Sequence, residues 1–150
     1  MGHDLRTFLA AVAAKAPDLL VRVTRTVSPR WELSAVQMRL QAEGRLPILV
    51  FDSVEGSALP IVTGLFSSKR HMALALGTTP DQVVAKFTEA QRRRIPPTVV
   101  ASGPVQEVVL TDARADLRSL PLVTHCEKDA GPYLSSGVTI LRDPASGCLN

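Results

Sequence analysis

The densest group of side chains that could do chemistry lies in one short segment, at His125, Cys126, Glu127 and Asp129. Imidazole, thiolate and carboxylate groups bind zinc, but zinc modules space their ligands as Cys-x-x-Cys or His-x-x-x-His pairs, and neither spacing occurs here. A Cys–His pair for nucleophilic catalysis needs a third, orienting group, and adjacent strand residues point to opposite faces. The residues alone favour a polar loop whose carboxylates accept backbone hydrogen bonds over a zinc site.

Other familiar motifs are missing from the sequence, which contains no Walker loop, no G-x-G-x-x-G and no G-x-S-x-G. Cys126 and Cys148 do not make a disulfide framework, so we expect free thiols in a reducing cytoplasm. No apolar run approaches the roughly 20 residues that span a bilayer, and no signal peptide is visible. These observations predict a cytoplasmic protein without a membrane partner.

The net charge of +3 and the pI of about 9.2 reflect basic residues concentrated at Lys69-Arg70-His71 and Arg92-Arg93-Arg94. Such runs can contact phosphate or nucleic acid. They also suit solvated helix ends, where cations oppose the negative end of the helix dipole. Because no nucleic-acid motif and no interleaved aromatic residues accompany the charge, we predict no nucleic-acid partner.

The hydrophobic pattern of the first hundred residues predicts a compact α/β domain. Helices are predicted over residues 4–15, from Ser28-Pro29, after Ser67-Ser68, and from the capping box Thr79-Pro80-Asp81-Gln82. Strands are predicted at Leu19–Val23, Pro47–Val50 and Pro60–Phe66. The apolar spacing places Phe8, Trp31, Leu40 and Phe87 in the core of this domain.

The last third of the sequence has a different pattern, beginning after the helix-breaking pair Pro96-Pro97. Strands are predicted at Val105–Leu110 and Tyr133–Leu141, with a polar loop between them and a hairpin loop at Asp143–Gly147. A pair of strands without further partners is only marginally stable in water. We therefore expect these residues to belong to a larger folded unit.

Several motifs, in the same order, resemble the UbiD-like decarboxylases, which use prenylated FMN. The resemblance is carried by Asp4–Leu9, Val27–Glu32, Phe51–Ser57, Gly64–Gly77, Pro104–Val109 and the segment Leu120–Asn150. Within the fourth motif the family pattern is Asn-Leu-Phe-Gly-Ser-x-x-Arg-x-Ala-x-Ala-Leu-Gly. Gly64 stands there in place of Asn, and Ser67 in place of Gly.

The resemblance implies an N-terminal α/β domain over residues 1–103. The first strands of a split β-barrel flavin-binding domain would follow over residues 104–150, with that domain incomplete. In similar enzymes a hydroxyl approaches the flavin, and alignment through Gly137 and Pro144 makes it Ser135. The family's metal-ligating Asn, at the end of the Asp-Pro-x-x-Gly hairpin, corresponds to Asn150.

The implied activity is a reversible, non-oxidative decarboxylation of aromatic, heteroaromatic or α,β-unsaturated carboxylic acids. Similar enzymes use prenylated FMN, which a flavin prenyltransferase supplies, together with Mn²⁺ and K⁺, and they are homo-oligomers. Their Glu-Arg-Glu acid–base set and remaining metal ligands would follow Asn150. We therefore expect no catalytic residues, no tight flavin binding and no activity from this chain alone.

Two other classes of function remain open from the sequence. The chain could be a non-catalytic binding or assembly module, or the small subunit of a split decarboxylase. It could also be a basic α/β domain that contacts nucleic acid or phosphate, in which case binding would weaken steeply with salt.

Overall fold

A three-stranded sheet forms the centre of the computed structural model, which describes residues 4–93, 95–96 and 98–148. The strands are β1 (Leu20–Val27), β2 (Ile48–Val54) and β3 (Ile61–Thr63), in the order β1-β2-β3. β1 pairs with β2 in parallel, and β2 pairs with β3 antiparallel. With the helices described below, this sheet confirms the predicted α/β class.

The central strand β2 is almost wholly buried, as expected for a continuous apolar run with a neighbour on each side. A parallel neighbour requires a crossover connection, and helix α2 (Glu32–Ala42) supplies it between β1 and β2. The predicted strands at residues 19–23 and 47–50 are both present and both extend further along the chain than predicted. The third, predicted over residues 60–66, is limited to three residues.

The first helix, α1 (Leu5–Lys15), is confirmed at the predicted position. The Thr7 amide donates to Asp4 Oδ1 at 2.7 Å, and the Asp4 amide donates to Thr7 Oγ1 at 3.2 Å. This reciprocal pair satisfies amides that a helix start otherwise leaves without partners. Hydrogen bonds from the amide and the side chain of Thr7 to the Asp4 carboxylate lower the pKa of Asp4.

The start of α2 differs from the prediction, which placed Ser28 at the cap and Pro29 at the first helical position. The helix begins at Glu32, after Trp31 with φ +68°. The Ser28 amide donates to Glu32 Oε2 at 2.7 Å, and the Pro29 carbonyl accepts from the Thr124 amide at 3.1 Å. Tertiary contact with residue 124 therefore overrides the local capping signal.

Helices α3 (Lys69–Leu76) and α4 (Val83–Arg92) follow β3. Ser68 precedes α3, as predicted, and Gly77 ends the helix in the left-handed conformation that favours glycine. The capping box predicted at Thr79–Gln82 is not formed, because residues 80–82 make a turn and the Gln82 side chain accepts a hydrogen bond from Thr78 Oγ1. None of the helices among the described residues is long and apolar enough to cross a membrane.

Two apolar clusters lie on the sheet. One joins the sheet to α2 and contains the buried residues Val27, Leu33, Leu49, Phe51, Val54 and Val123. The other joins the sheet to α1 and contains Val12, Ala16, Leu19 and Ile48. Full burial of a large apolar side chain contributes about 1.5–3 kcal/mol, so these clusters are the main source of stability.

The burial predicted for four core residues is wrong for two of them. Phe8 and Leu40 pack at the edge of the clusters, but Trp31 is 36% exposed and Phe87 is 55% exposed. Trp31 precedes α2 and so lies outside its apolar stripe, and the Arg30 guanidinium covers its ring at 4.4 Å. Phe87 belongs to α4, which packs mainly on α3 and not on the sheet.

The strands predicted at residues 105–110 and 133–141 are not formed. Single turns of 3₁₀ helix occur instead at Pro104–Gln106, Asp112–Arg114 and Leu117–Ser119. Apolar side chains of this part, such as Val105 and Val138, are almost fully exposed. A strand needs a neighbour for its amides and carbonyls. Among the described residues, the named strands all lie before residue 64 and do not pair with these segments.

Candidate functional site

The segment predicted to carry chemistry is anchored on the α/β unit. Val123 is buried in the cluster beneath α2. The Thr124 amide donates to the Pro29 carbonyl at 3.1 Å, and the Trp31 amide donates to the Thr124 carbonyl at 2.9 Å. The Tyr133 amide donates to the Val123 carbonyl at 3.1 Å. A short two-sided ladder thus holds residues 123 and 124 between the start of α2 and Tyr133.

The polar loop after this anchor is organised by one carboxylate. Asp129 Oδ2 accepts hydrogen bonds from the His125 amide at 3.0 Å and the Cys126 amide at 2.8 Å. The Asp129 amide closes the turn on the Cys126 carbonyl at 3.2 Å. This geometry confirms the interpretation as a polar loop. In the part of the chain that the structure describes, no group of three or more His, Cys, Asp or Glu residues could hold a metal.

His125 connects the loop to α2 through its side chain. Its Nδ1 atom lies 3.0 Å from the Ser34 hydroxyl oxygen, and its ring lies 5.0 Å from the Tyr133 ring at 51°. Ser34 was missed by the sequence analysis, since an isolated helical serine carries no signal of so distant a partner. The imidazole is thus a positioned, half-buried group and not one half of a Cys–His pair.

An open cleft of about 360 Å³ lies between α2 and this loop. Its walls are formed by Trp31, Ala35, Met38, His125, Cys126, Glu127 and Lys128. Trp31 has a positive φ, which costs a non-glycine residue about 1–3 kcal/mol. The hydrogen bonds of Pro29 and Trp31 to Thr124 hold that conformation. Trp31 and Met38 give the cleft an aromatic and a thioether surface, and Glu127 and Lys128 add charged groups to its lining.

Ser135 and Asn150 are the residues to which the family resemblance assigns cofactor and metal binding. Ser135 lies in an exposed turn, and its hydroxyl makes no side-chain hydrogen bond within the described residues. Asn150 lies outside the described residues. The structure therefore shows an accessible hydroxyl at position 135 and leaves the assignment of both residues as a prediction.

The hairpin loop predicted before Asn150 is present. The Gly147 amide donates to the Asp143 carbonyl at 2.8 Å, and the Asp143 amide donates to the Cys148 carbonyl at 2.8 Å. Gly147 adopts φ +72°, a conformation that glycine reaches without steric strain, which explains why glycine occurs at this position. The Ser146 hydroxyl and the Ala145 amide hydrogen-bond to the Asp143 carboxylate and lower its pKa.

One buried ionisable group lies away from this segment. His71 on α3 is fully buried, with Nδ1 2.6 Å from Ser68 Oγ, and its buried Nε2 has no hydrogen-bond partner among the described residues. Burial lowers its pKa, and the neighbouring charge of Arg70 lowers it further. The family pattern has Arg at this position, so His71 is a further departure from it.

The sheet, the helices and the loop anchored at residues 123 and 124 lie within two regions that match known family domains. Residues 13–91 match the 3-octaprenyl-4-hydroxybenzoate carboxy-lyase N-terminal domain, and residues 98–150 match the Rift-related domain of the same enzymes. The chain belongs to the UbiD family.

Solved structures of similar enzymes share this fold. An evolved dimeric form of the UbiD-class enzyme HmfF from Pelotomaculum thermopropionicum, in complex with prFMN, is 34% identical with a TM-score of 0.86. That match covers 99% of this chain and 34% of the other. The apo 3,4-dihydroxybenzoic acid decarboxylase from Enterobacter cloacae is 29% identical with a TM-score of 0.87, covering 97% and 32%.

Two curated proteins are similar to this chain over most of its length. An uncharacterized protein in the cooM 5' region of Rhodospirillum rubrum is 36% identical over 135 residues, which cover 87% of this chain and 28% of that protein. The anhydromevalonate phosphate decarboxylase of Methanothermobacter thermautotrophicus is 30% identical over 104 residues, 69% of this chain and 23% of that enzyme. The chain thus spans about a quarter of the length of these relatives.

Proposed function

We propose that this chain is the N-terminal part of a UbiD-like, reversible, non-oxidative decarboxylase. Its substrates would be aromatic, heteroaromatic or α,β-unsaturated carboxylic acids, and its cofactor prenylated FMN. The observation that carries the proposal is the match of nearly the whole chain to an enzyme solved with prFMN, at 34% identity. The two family domains also match in the expected order.

Each of the two proposed domains would have a separate role. Residues 1–103 would form the α/β scaffold, and residues 104–150 would begin the flavin-binding domain. The separate family matches over residues 13–91 and 98–150 support this division. Val123 and Thr124 hold the second part against α2. The exposed apolar side chains between residues 104 and 148 would be covered when the barrel is complete.

Ser135 and Asn150 are the residues of this chain that would hold the cofactor and its metal. The exposed hydroxyl of Ser135 fits a hydrogen bond to a polar flavin atom. The neutral amide oxygen of Asn150 suits a hard cation such as Mn²⁺ that is already paired with phosphate, with K⁺ as a second ion. When bound, prenylated FMN supplies the electron sink for decarboxylation.

The test uses the full-length gene product, coproduced with a flavin prenyltransferase as cofactor source. We expect Asn150→Ala to lower Mn²⁺ and flavin occupancy together, because the amide oxygen would tie the metal to the flavin phosphate. Ser135→Ala should lower flavin occupancy or activity, and the neighbouring Ser136→Ala serves as matched control. Unchanged metal content, flavin content and activity in Asn150→Ala would remove Asn150 from the site and weaken the assignment of Ser135.

A second candidate is a non-catalytic assembly module or the small subunit of a split decarboxylase. The exposed apolar residues Val105, Val108 and Val138 favour it, since side chains of this kind are normally covered by a partner. A gene product that binds no prenylated FMN but forms a stable complex with a separate catalytic subunit would support this function.

A further inference from the structure

The turn that contains Ser135 follows an aromatic contact between Tyr133 and His125. The two ring centroids lie 5.0 Å apart, and the ring planes are inclined at 51°. A tilted arrangement at about this distance is one that aromatic rings prefer. Tyr133 is 48% exposed, so its ring is not enclosed in the apolar core. The contact with His125 therefore helps to fix the direction of the Tyr133 side chain.

His125 is itself held by the α/β scaffold. Its Nδ1 atom lies 3.0 Å from the hydroxyl oxygen of Ser34, which is in the first turn of α2 and next to the buried Leu33. The His125 amide donates to Asp129 Oδ2 at 3.0 Å. The ring is thus fixed from α2 and the backbone from the loop, so His125 is a defined support for the Tyr133 ring.

The backbone of Tyr133 has a second support. Its amide donates to the carbonyl of the buried Val123 at 3.1 Å. Ser135 follows two residues later, in an exposed turn. Two residues of extended chain span at most about 7 Å. The position of Tyr133 therefore limits the positions that the Ser135 hydroxyl can reach.

We propose that His125 and Tyr133 are positioning residues for the cofactor, which hold the Ser135 hydroxyl where it meets the flavin. Ser34 on α2 orients the His125 ring, and the His125 ring orients Tyr133. The backbone after Tyr133 then places Ser135. Holding the hydroxyl in advance reduces the conformational entropy that is lost on binding, which raises the affinity for the flavin. This inference rests on the proposed function and on Ser135 as a flavin ligand.

A positioning role differs from a purely structural one in what it changes. A contact that only stabilises the fold alters unfolding and leaves the flavin affinity of the folded protein unchanged. A contact that positions Ser135 alters that affinity, and it does so only while the Ser135 hydroxyl is present. The Tyr133 hydroxyl has no part in the ring contact, so phenylalanine at this position should replace tyrosine fully.

The test measures prenylated FMN retained on dilution by the full-length gene product, coproduced with a flavin prenyltransferase. Tyr133→Ala and His125→Ala each weaken retention by about threefold to tenfold, the range expected for the loss of one aromatic contact. Tyr133→Phe retains flavin as the wild type does. Gly56→Ala is the control for lost stability alone, since its added Cβ has no atom within 4 Å, and it retains flavin as the wild type does.

A double-variant comparison tests whether Tyr133 acts through Ser135. In a Ser135→Ala background, Tyr133→Ala causes no further loss of flavin, whereas additive losses overturn the positioning role. Equal losses in Tyr133→Phe and Tyr133→Ala overturn it as well, as does full retention in Tyr133→Ala.

The wild-type protein separates this inference from the proposed function on which it rests. A folded wild-type protein that holds no flavin overturns both. A wild-type protein that holds flavin, with Tyr133→Ala and His125→Ala holding it equally well, overturns the positioning role alone. Circular dichroism establishes that each variant is folded. If Tyr133→Ala does not fold, His125→Ala decides the question, because it leaves the Tyr133 side chain and the backbone hydrogen bond to Val123 in place.

Discussion

The Nδ1 atom of His125 lies 3.0 Å from the hydroxyl oxygen of Ser34, although 91 positions separate the two residues. This contact joins the polar loop to the first turn of α2. Together with the backbone hydrogen bonds between Thr124 and the residues before α2, it fixes the second part of the chain on the first. These contacts hold residues 124 and 125 at a defined position beside the start of α2.

Loss of this contact should cost stability. We expect Ser34→Ala to lower the free energy of unfolding by about 1 kcal/mol, the usual contribution of a single hydrogen bond. Urea unfolding measures the change. Ser136→Ala is the control, since Ser136 is exposed and should leave the stability unchanged. An equal effect in both variants would show that the contact with His125 contributes nothing.

Alanine substitutions at two glycines distinguish the energetic cost of a steric clash from the cost of backbone strain. Gly64 and Gly56 have nearly the same positive φ, +75° and +76°. A Cβ at residue 64 would lie 2.7 Å from the Pro47 carbonyl oxygen, whereas one at residue 56 would have no atom within 4 Å. We expect Gly56→Ala to cost about 1 kcal/mol from strain alone, and Gly64→Ala distinctly more. Thermal unfolding of both variants measures this difference, and equal losses would contradict it.

The buried His71 should make stability depend on pH. Burial lowers its pKa in the folded state below the ordinary value of 6.5. As pH falls through 6.5, the His71 side chain therefore binds a proton in the unfolded chain before it does so in the folded chain. The free energy of unfolding decreases as a result. Above that pH the group has no such effect. We expect the free energy of unfolding to decrease between pH 7 and pH 5.

His71→Asn is the variant that checks this slope, because its amide can still hydrogen-bond to Ser68 but does not titrate. The variant should be less stable at pH 7 and should lose less stability toward pH 5. Carboxylates with lowered pKa, such as Asp18 and Glu32, stabilise the fold above about pH 4 and lose that effect only at lower pH. An unchanged slope in His71→Asn would assign the pH dependence to other groups.

The local parts of the fold could be predicted from the sequence. The helix over residues 4–15, the strand at residues 47–50 and the helix after Ser68 each depend mainly on neighbours in the chain. The start of α2 could not be predicted, because residue 124 decides it through hydrogen bonds to Pro29 and Trp31. Long-range partners leave no local pattern.

The same reasoning applies to the candidate site. The loop at residues 125–129 was predicted correctly, since Asp129 binds amides only three and four residues away. Ser34 was missed, and the exposure of Trp31 was not foreseen, because both depend on where the loop docks. The strands predicted at residues 105–110 and 133–141 depend on neighbours that no local pattern supplies.

The most direct test of the account is the flavin content of the full-length gene product after coproduction with a flavin prenyltransferase. Absorbance and mass spectrometry of the cofactor released from the folded protein identify and quantify it. The account predicts prenylated FMN in stoichiometric amount, and release of CO₂ from at least one aromatic, heteroaromatic or α,β-unsaturated acid. A folded full-length protein that binds no flavin, with Mn²⁺ and K⁺ supplied, would contradict the proposed function.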